Sequence, residues 1–253
     1  MLTHSQVEGY KNDGFLFLDQ PILPLESILE VRSALDALFE SWDQLPRRLA
    51  PGAAAGGPPA VAEILNTTML VPQLMKTQLI AECRAMAAQI LGVGKTWCHF
   101  DHMIYKSPGT TSISWHQDVA FSKTRLLARS VHFWIPLHDL MPDDGCLMFV
   151  PGSHLGDLLP HTPSVRPGGA MVREAEPPSE SSYVTKTLRM GGFSIHTPRT
   201  LHASAANVGT TLRKAWILQI GAGPASAARQ SARGCIRIWT MTQTQQHRRR
   251  SST

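Results

Sequence analysis

Residues 97–106 read WCHFDHMIYK and residues 112–117 read SISWHQ, two short β-like runs separated by a Pro-Gly turn at Pro108-Gly109. Their length and turn punctuation suit strands better than helices. The same texture returns at Ser130–Leu137, Leu147–Pro151, Gly192–His196 and Leu212–Ile220, with Pro, Gly and Asp turns between. Upstream of Thr96 the periodicity is helical. Thr3 and Gln6 have capping-box spacing, and Gly14 ends a turn before the strand-like Phe15–Leu18. A helix follows Pro24, with Ile28, Val31, Leu35, Leu38, Phe39 and Trp42 as its apolar stripe. Another spans Gln78 to Leu91, with Gly92 as its stop. Helices first and many short strands afterwards predict an α+β fold: a double-stranded β-helix, jelly-roll or cupin-like, packed on N-terminal helices. One domain is expected over 1–222, with insert loops at about 49–61 and 160–187. A polar, disordered tail is expected at 223–253.

Composition narrows the function. A chain of 253 residues with 43% hydrophobic and 17% charged residues is neither disordered nor too small for a core. It holds no apolar run of about 18 residues, and its first residues lack the order of a secretory signal, so a cytoplasmic location is expected. Part of the net charge of +5 sits in His247, Arg248, Arg249 and Arg250, without an aromatic-plus-basic motif. Neither nucleic acid nor membrane is therefore an expected partner; a small-molecule substrate is. Oligomeric state is not legible. Cys83, Cys98, Cys146 and Cys235 show no metal-ligand spacing and read as thiols.

The chemistry-bearing motif is Trp115-His116-Gln117-Asp118. On a strand, His116 and Asp118 face one way and can share an ion. Two imidazoles and one carboxylate on one face of an octahedral ion leave the opposite positions open, as in non-heme iron(II) oxygenases. The third ligand is His196 or His202, and spacing does not choose between them. Context favours His202. Arg213 lies eleven residues beyond it, and a guanidinium fork suits the distal carboxylate of a 2-oxo acid. Ser204 follows two residues after His202 and adds a hydroxyl on the same strand face.

With these motifs in order, the chain resembles the phytanoyl-CoA dioxygenase family from about Gln6 to Ile220. The likeness rests on Tyr10–Phe15, His116-Gln117-Asp118, Trp134–Asp139 with Asp144–Leu147, Phe149–His154, and finally His202, Ser204, Asn207 and Arg213. It implies iron(II) on His116, Asp118 and His202, and 2-oxoglutarate held by Arg213 and Ser204. Trp134 and His102 would line the cosubstrate pocket, and Lys106 also matches a family position. The activity implied is hydroxylation of a small organic molecule, with dioxygen consumed and succinate and carbon dioxide released. A related halogenating subgroup lacks the carboxylate at the position of Asp118, so its presence favours hydroxylation.

Other conspicuous residues have plainer readings. His154 is expected to tie a turn and His196 to line the barrel; His99, His132 and His138 receive no role. Asp143, Asp144 and Gly145 read as a tight turn, with Met141 and Met148 as core fillers. Arg166, Arg173 and Lys186 in the long insert point to an anionic or zwitterionic substrate. A metal-dependent isomerase or epimerase and a catalytically silent binding protein are the competing classes; Arg213 argues against the first and the intact ligand set against the second.

Overall fold

A computed structural model describes residues 1–22, 24–51, 57–121, 129–165 and 171–223. Two antiparallel sheets form its centre. The larger has six strands in the order β1-β10-β5-β12-β3-β2. These are β1 (Phe15–Leu18), β2 (Val61–Leu65), β3 (Trp97–Lys106), β5 (Ser130–Pro136), β10 (Phe193–His196) and β12 (Arg213–Gly221). The smaller runs β4-β11-β6-β9, with β4 (Ile113–His116), β6 (Leu147–Phe149), β9 (Val184–Thr185) and β11 (His202–Ser204). A hairpin of β7 (Thr162–Val165) and β8 (Met171–Glu174) stands apart. This is the expected jelly-roll core with helices.

Alternation along the strands assigns the two faces of the larger sheet. Val131, Phe133 and Ile135 of β5, with Trp216, Leu218 and Ile220 of β12, join the main core, which also takes in residues of the helices. Those helices are α1 (His4–Asp13), α2 (Leu25–Glu40) and α4 (Gln78–Leu91), with the single turn α3 (Thr67–Leu70) between the last two. Ile28, Val31 and Leu35 of α2 are almost fully buried there, each stabilising the fold by about 1.5–3 kcal/mol. The opposite face carries Trp134, Ala215 and Ile217, which meet Leu147 and Phe149 of the smaller sheet in a second cluster. The candidate site lies on this inner side.

Several boundaries follow from named caps. Thr3 and Gln6 form the expected capping box, and Gly14 and Gly92 end their helices in the left-handed conformation. Three expectations need correction. The insert at 160–187 is not wholly irregular, because it contains the β7–β8 hairpin and β9. The loop expected at 49–61 gives way to β2 at Val61, an edge strand paired with β3. Met141 is 61% exposed rather than a core filler, because Pro142–Asp144 form a surface 3-10 turn beside it. The expected tail from residue 224 onward, like Cys235 and Arg166, lies outside the described residues.

Candidate metal centre

Strands β4 and β11 are paired, with His116 opposite His202. Each ring is aimed from its own strand. His116 Nδ1 lies 2.8 Å from the Ser114 carbonyl oxygen, and His202 Nδ1 lies 2.9 Å from that of Thr200. A carbonyl oxygen only accepts, so Nδ1 carries the proton in both rings and Nε2 presents a lone pair. Both Nε2 atoms approach one oxygen of Asp118: Oδ1 is 3.6 Å from His116 and 3.8 Å from His202.

Asp118 is ionised. Burial pushes its carboxyl up, but hydrogen bonds from His132 and His196 outweigh this and hold it well below the usual carboxylate range. Three lone-pair atoms therefore converge, all within 4.8 Å of one another. Such a set is mutually repulsive until a cation occupies its centre, and two imidazoles with one carboxylate suit iron(II).

A second group of donors, Asp118 with His132 and His196, is as compact. It is closed, however. His132 is 1% exposed and donates from Nδ1 to Asp118 Oδ2 at 2.7 Å, while its Nε2 faces Ser130 Oγ at 3.2 Å. His196 is also buried, with Nε2 3.4 Å from Asp118 Oδ2. Burial pushes its pKa down to about 3, so it is neutral at physiological pH. The expectation that His132 has no role is thus corrected. The signal was available: His132 precedes Trp134 by two residues on one strand, so both face inward. His196 lines the barrel as expected, but its Nδ1 is buried without a hydrogen-bond partner.

Farther along the inner face, Arg213 is 1% exposed and Lys106 fully buried. Their positive charges meet at one hydroxyl. Arg213 Nη1 lies 2.8 Å and Lys106 Nζ 3.3 Å from Ser204 Oγ. Arg213 also donates to the Gly145 carbonyl at 2.9 Å, and its guanidinium sits 5.4 Å from the centre of the Trp134 ring. His102 shares a cross-strand row with Ile217 and Trp134, and its Nδ1 lies 2.5 Å from Glu63 Oε1. The structure thus brings together His116, Asp118 and His202, then Arg213, Ser204 and Trp134. His102 stands two strands from Trp134, paired with an acid.

Gln117, between two of the converging donors, is fully buried and structural. Its side chain accepts from Leu159 N–H at 2.9 Å and donates to the Arg199 carbonyl at 2.7 Å, while its own N–H donates to His161 Nε2 at 3.0 Å. The start of the long insert is thereby fastened to the metal motif. His154 ties a turn as expected, through Nε2 to the Lys11 carbonyl at 2.9 Å.

Comparison with known proteins agrees with this arrangement. The family described as phytanoyl-CoA dioxygenase (PhyH) matches residues 10–215. The chain belongs to that family. The matched span of phytanoyl-CoA dioxygenase sequence takes in all three converging donors and Arg213. Among its relatives, phytanoyl-CoA dioxygenase domain-containing protein 1 of Bos taurus is 31% identical over 109 residues, 42% of this chain and 38% of that one. The Danio rerio protein of the same name is 30% identical over 122 residues, 46% and 42% of the two chains. The chain thus spans about two fifths of the curated relatives it matches. Among solved structures, EvdO2 from Micromonospora carbonacea var. aurantiaca, complexed with 2-oxoglutarate, superposes with a TM-score of 0.71 at 28% identity, covering 88% of this chain and 92% of that one. EctD from S. alaskensis, with 2-oxoglutarate and 5-hydroxyectoine, gives 0.69 at 18% identity, over 87% and 77%. The latter likeness is one of fold alone.

Proposed function

We propose that this chain is an iron(II)- and 2-oxoglutarate-dependent dioxygenase that hydroxylates an unactivated C–H bond of a small organic molecule, releasing succinate and carbon dioxide. The observation that carries this reading is the convergence of His116 Nε2, His202 Nε2 and Asp118 Oδ1 on one inner face that also holds the buried Arg213 and Lys106. His116, Asp118 and His202 would hold the metal. Once bound, iron supplies the dioxygen chemistry that side chains do not perform.

The chain's own residues account for binding and orientation. Arg213 and Ser204 are the partners for the distal carboxylate of 2-oxoglutarate, with Lys106 adding a second positive charge beside them. Trp134 forms a flat wall, and His102 closes the same row from β3. Phe149, stacked 5.9 Å from His202, and Ile217 supply apolar surface that excludes water. The relative EvdO2, described as complexed with 2-oxoglutarate, supports the cosubstrate. An isomerase or epimerase working without a 2-oxo acid would leave this buried cationic end without a purpose.

An anionic or zwitterionic substrate is the finer expectation. Arg173, exposed on β8, is the described residue that would serve it, while Lys186 already pairs with Asp19 at 3.2 Å. The test is to incubate the chain with iron(II), 2-oxoglutarate and dioxygen across a panel of small molecules, measuring succinate and a product heavier by one oxygen atom. Succinate that requires iron and disappears in His116→Ala is expected. Iron-loaded protein that consumes no 2-oxoglutarate with any substrate would favour the silent-protein reading.

A further inference from the structure

Asp118 uses its two oxygens for different purposes. Oδ1 is the atom that the Nε2 lone pairs of His116 and His202 approach, at 3.6 and 3.8 Å. Oδ2 points away from them, towards β5 and β10, where His132 Nδ1 lies at 2.7 Å and His196 Nε2 at 3.4 Å. A carboxylate oxygen only accepts, so His132 must donate from Nδ1. Its Nε2 then carries the lone pair, and Ser130 Oγ at 3.2 Å is placed to donate to it. Hydroxyl, imidazole and carboxylate form a short relay of hydrogen bonds, with fixed polarity from Ser130 to Asp118.

Tertiary packing holds that relay in place. His132 lies on β5, buried on both faces and flanked by β10 and β12; its register partners are His196 and Gln219. The ring is 1% exposed and cannot swing into solvent. Asp118, by contrast, stands at the start of a 3-10 turn on the half-open side. The buried partner orients the half-buried one.

We propose that His132 is a positioning residue for the metal centre: by occupying Asp118 Oδ2, it leaves Oδ1 alone to face the space between His116 and His202. The inference rests on the proposed function and adds a residue that the three-ligand motif does not contain. Without the donor at Oδ2 the carboxylate is free to rotate, and a cation between His116 and His202 would lose its pre-aligned ligand. His196, at its longer distance, supports the same oxygen more weakly.

The test measures iron(II) affinity of the purified full chain, by competition with a chromophoric chelator under anaerobic conditions. His132→Phe keeps an aromatic ring in a buried place and removes the donor. Its expected effect is about a tenfold to hundredfold loss of iron affinity, with an unchanged circular dichroism spectrum. His132→Gln, which returns an N–H donor, is expected to recover part of that loss. Ser130→Ala keeps His132 and removes its anchor, and serves if His132→Phe does not fold; a smaller loss in the same direction is expected. Wild-type iron affinity in folded His132→Phe, or in Ser130→Ala when His132→Phe does not fold, overturns the inference while leaving the proposed function standing. A wild-type chain that binds no iron overturns both.

Discussion

In the proposed function Arg213 serves the cosubstrate and not the metal. Its guanidinium donates to Ser204 and Gly145 and faces the Trp134 ring, so a fork of donors is aimed while the charge stays buried. Arg213→Lys keeps the charge and loses the fork. The expected result is a KM for 2-oxoglutarate about ten to a hundred times higher, the loss of one or two charge-assisted hydrogen bonds. Iron affinity should be unchanged. Paired titrations with each ligand make the check, and a parallel fall in iron affinity would show that Arg213 acts by holding up the fold. That His116, Asp118 and His202 would come together was legible from spacing and context. The split use of Asp118 was not, because the partner that holds Oδ2 comes from a strand of the other sheet. Sequence alternation puts His132 on the inner face but does not say what stands opposite.

Elements matter to the centre through their ends. The C-terminus of α1 docks on the loop that delivers His202: the Gly14 carbonyl accepts from Thr197 N–H at 2.9 Å and from Thr200 Oγ1 at 2.7 Å. Thr200 in turn supplies the carbonyl that fixes the His202 ring. Gly14 has φ of +85°, and a Cβ there would collide with the His154 ring and Thr200 Oγ1. Gly14→Ala is therefore strained twice and is expected to cost about 2 kcal/mol or more. Thermal unfolding should fall by several degrees, and an unaltered midpoint would contradict this docking role. The helices were readable because their stripes and caps are local signals: Thr3 with Gln6, Gly14 and Gly92 lie next to what they terminate. By contrast β2 was hidden, since Val61–Leu65 follows directly on a Gly/Ala/Pro-rich stretch and is an edge strand defined by its pairing with β3. The β7–β8 hairpin was hidden likewise, within a polar, Pro- and Gly-rich insert that shows no strand alternation.

Across the whole molecule, buried neutral histidines couple stability to pH. His99 and His196 are both nearly inaccessible, and burial holds each below the ordinary histidine value, His196 at about 3. The unfolded chain takes up these protons near pH 6.5 while the folded chain resists. The stability they contribute is complete above that value and is lost as pH falls towards the folded values. Between pH 7.5 and 5.5 His196 is expected to cost about 1 kcal/mol, with His99 acting in the same direction, read as a lower urea midpoint at pH 5.5; equal midpoints would contradict it. No helix among the described residues is long and apolar enough to cross a membrane. Two sheets whose strands interleave along the chain thus close on one inner face, with one end where His116, Asp118 and His202 converge and one cationic end. We propose that iron and 2-oxoglutarate meet there. Anaerobic titration of the apo-chain with iron(II), then 2-oxoglutarate, tests it through the weak visible charge-transfer band of the chelate. A band that needs both ligands and vanishes in His202→Ala is expected; iron uptake that leaves the spectrum indifferent to 2-oxoglutarate would contradict the account.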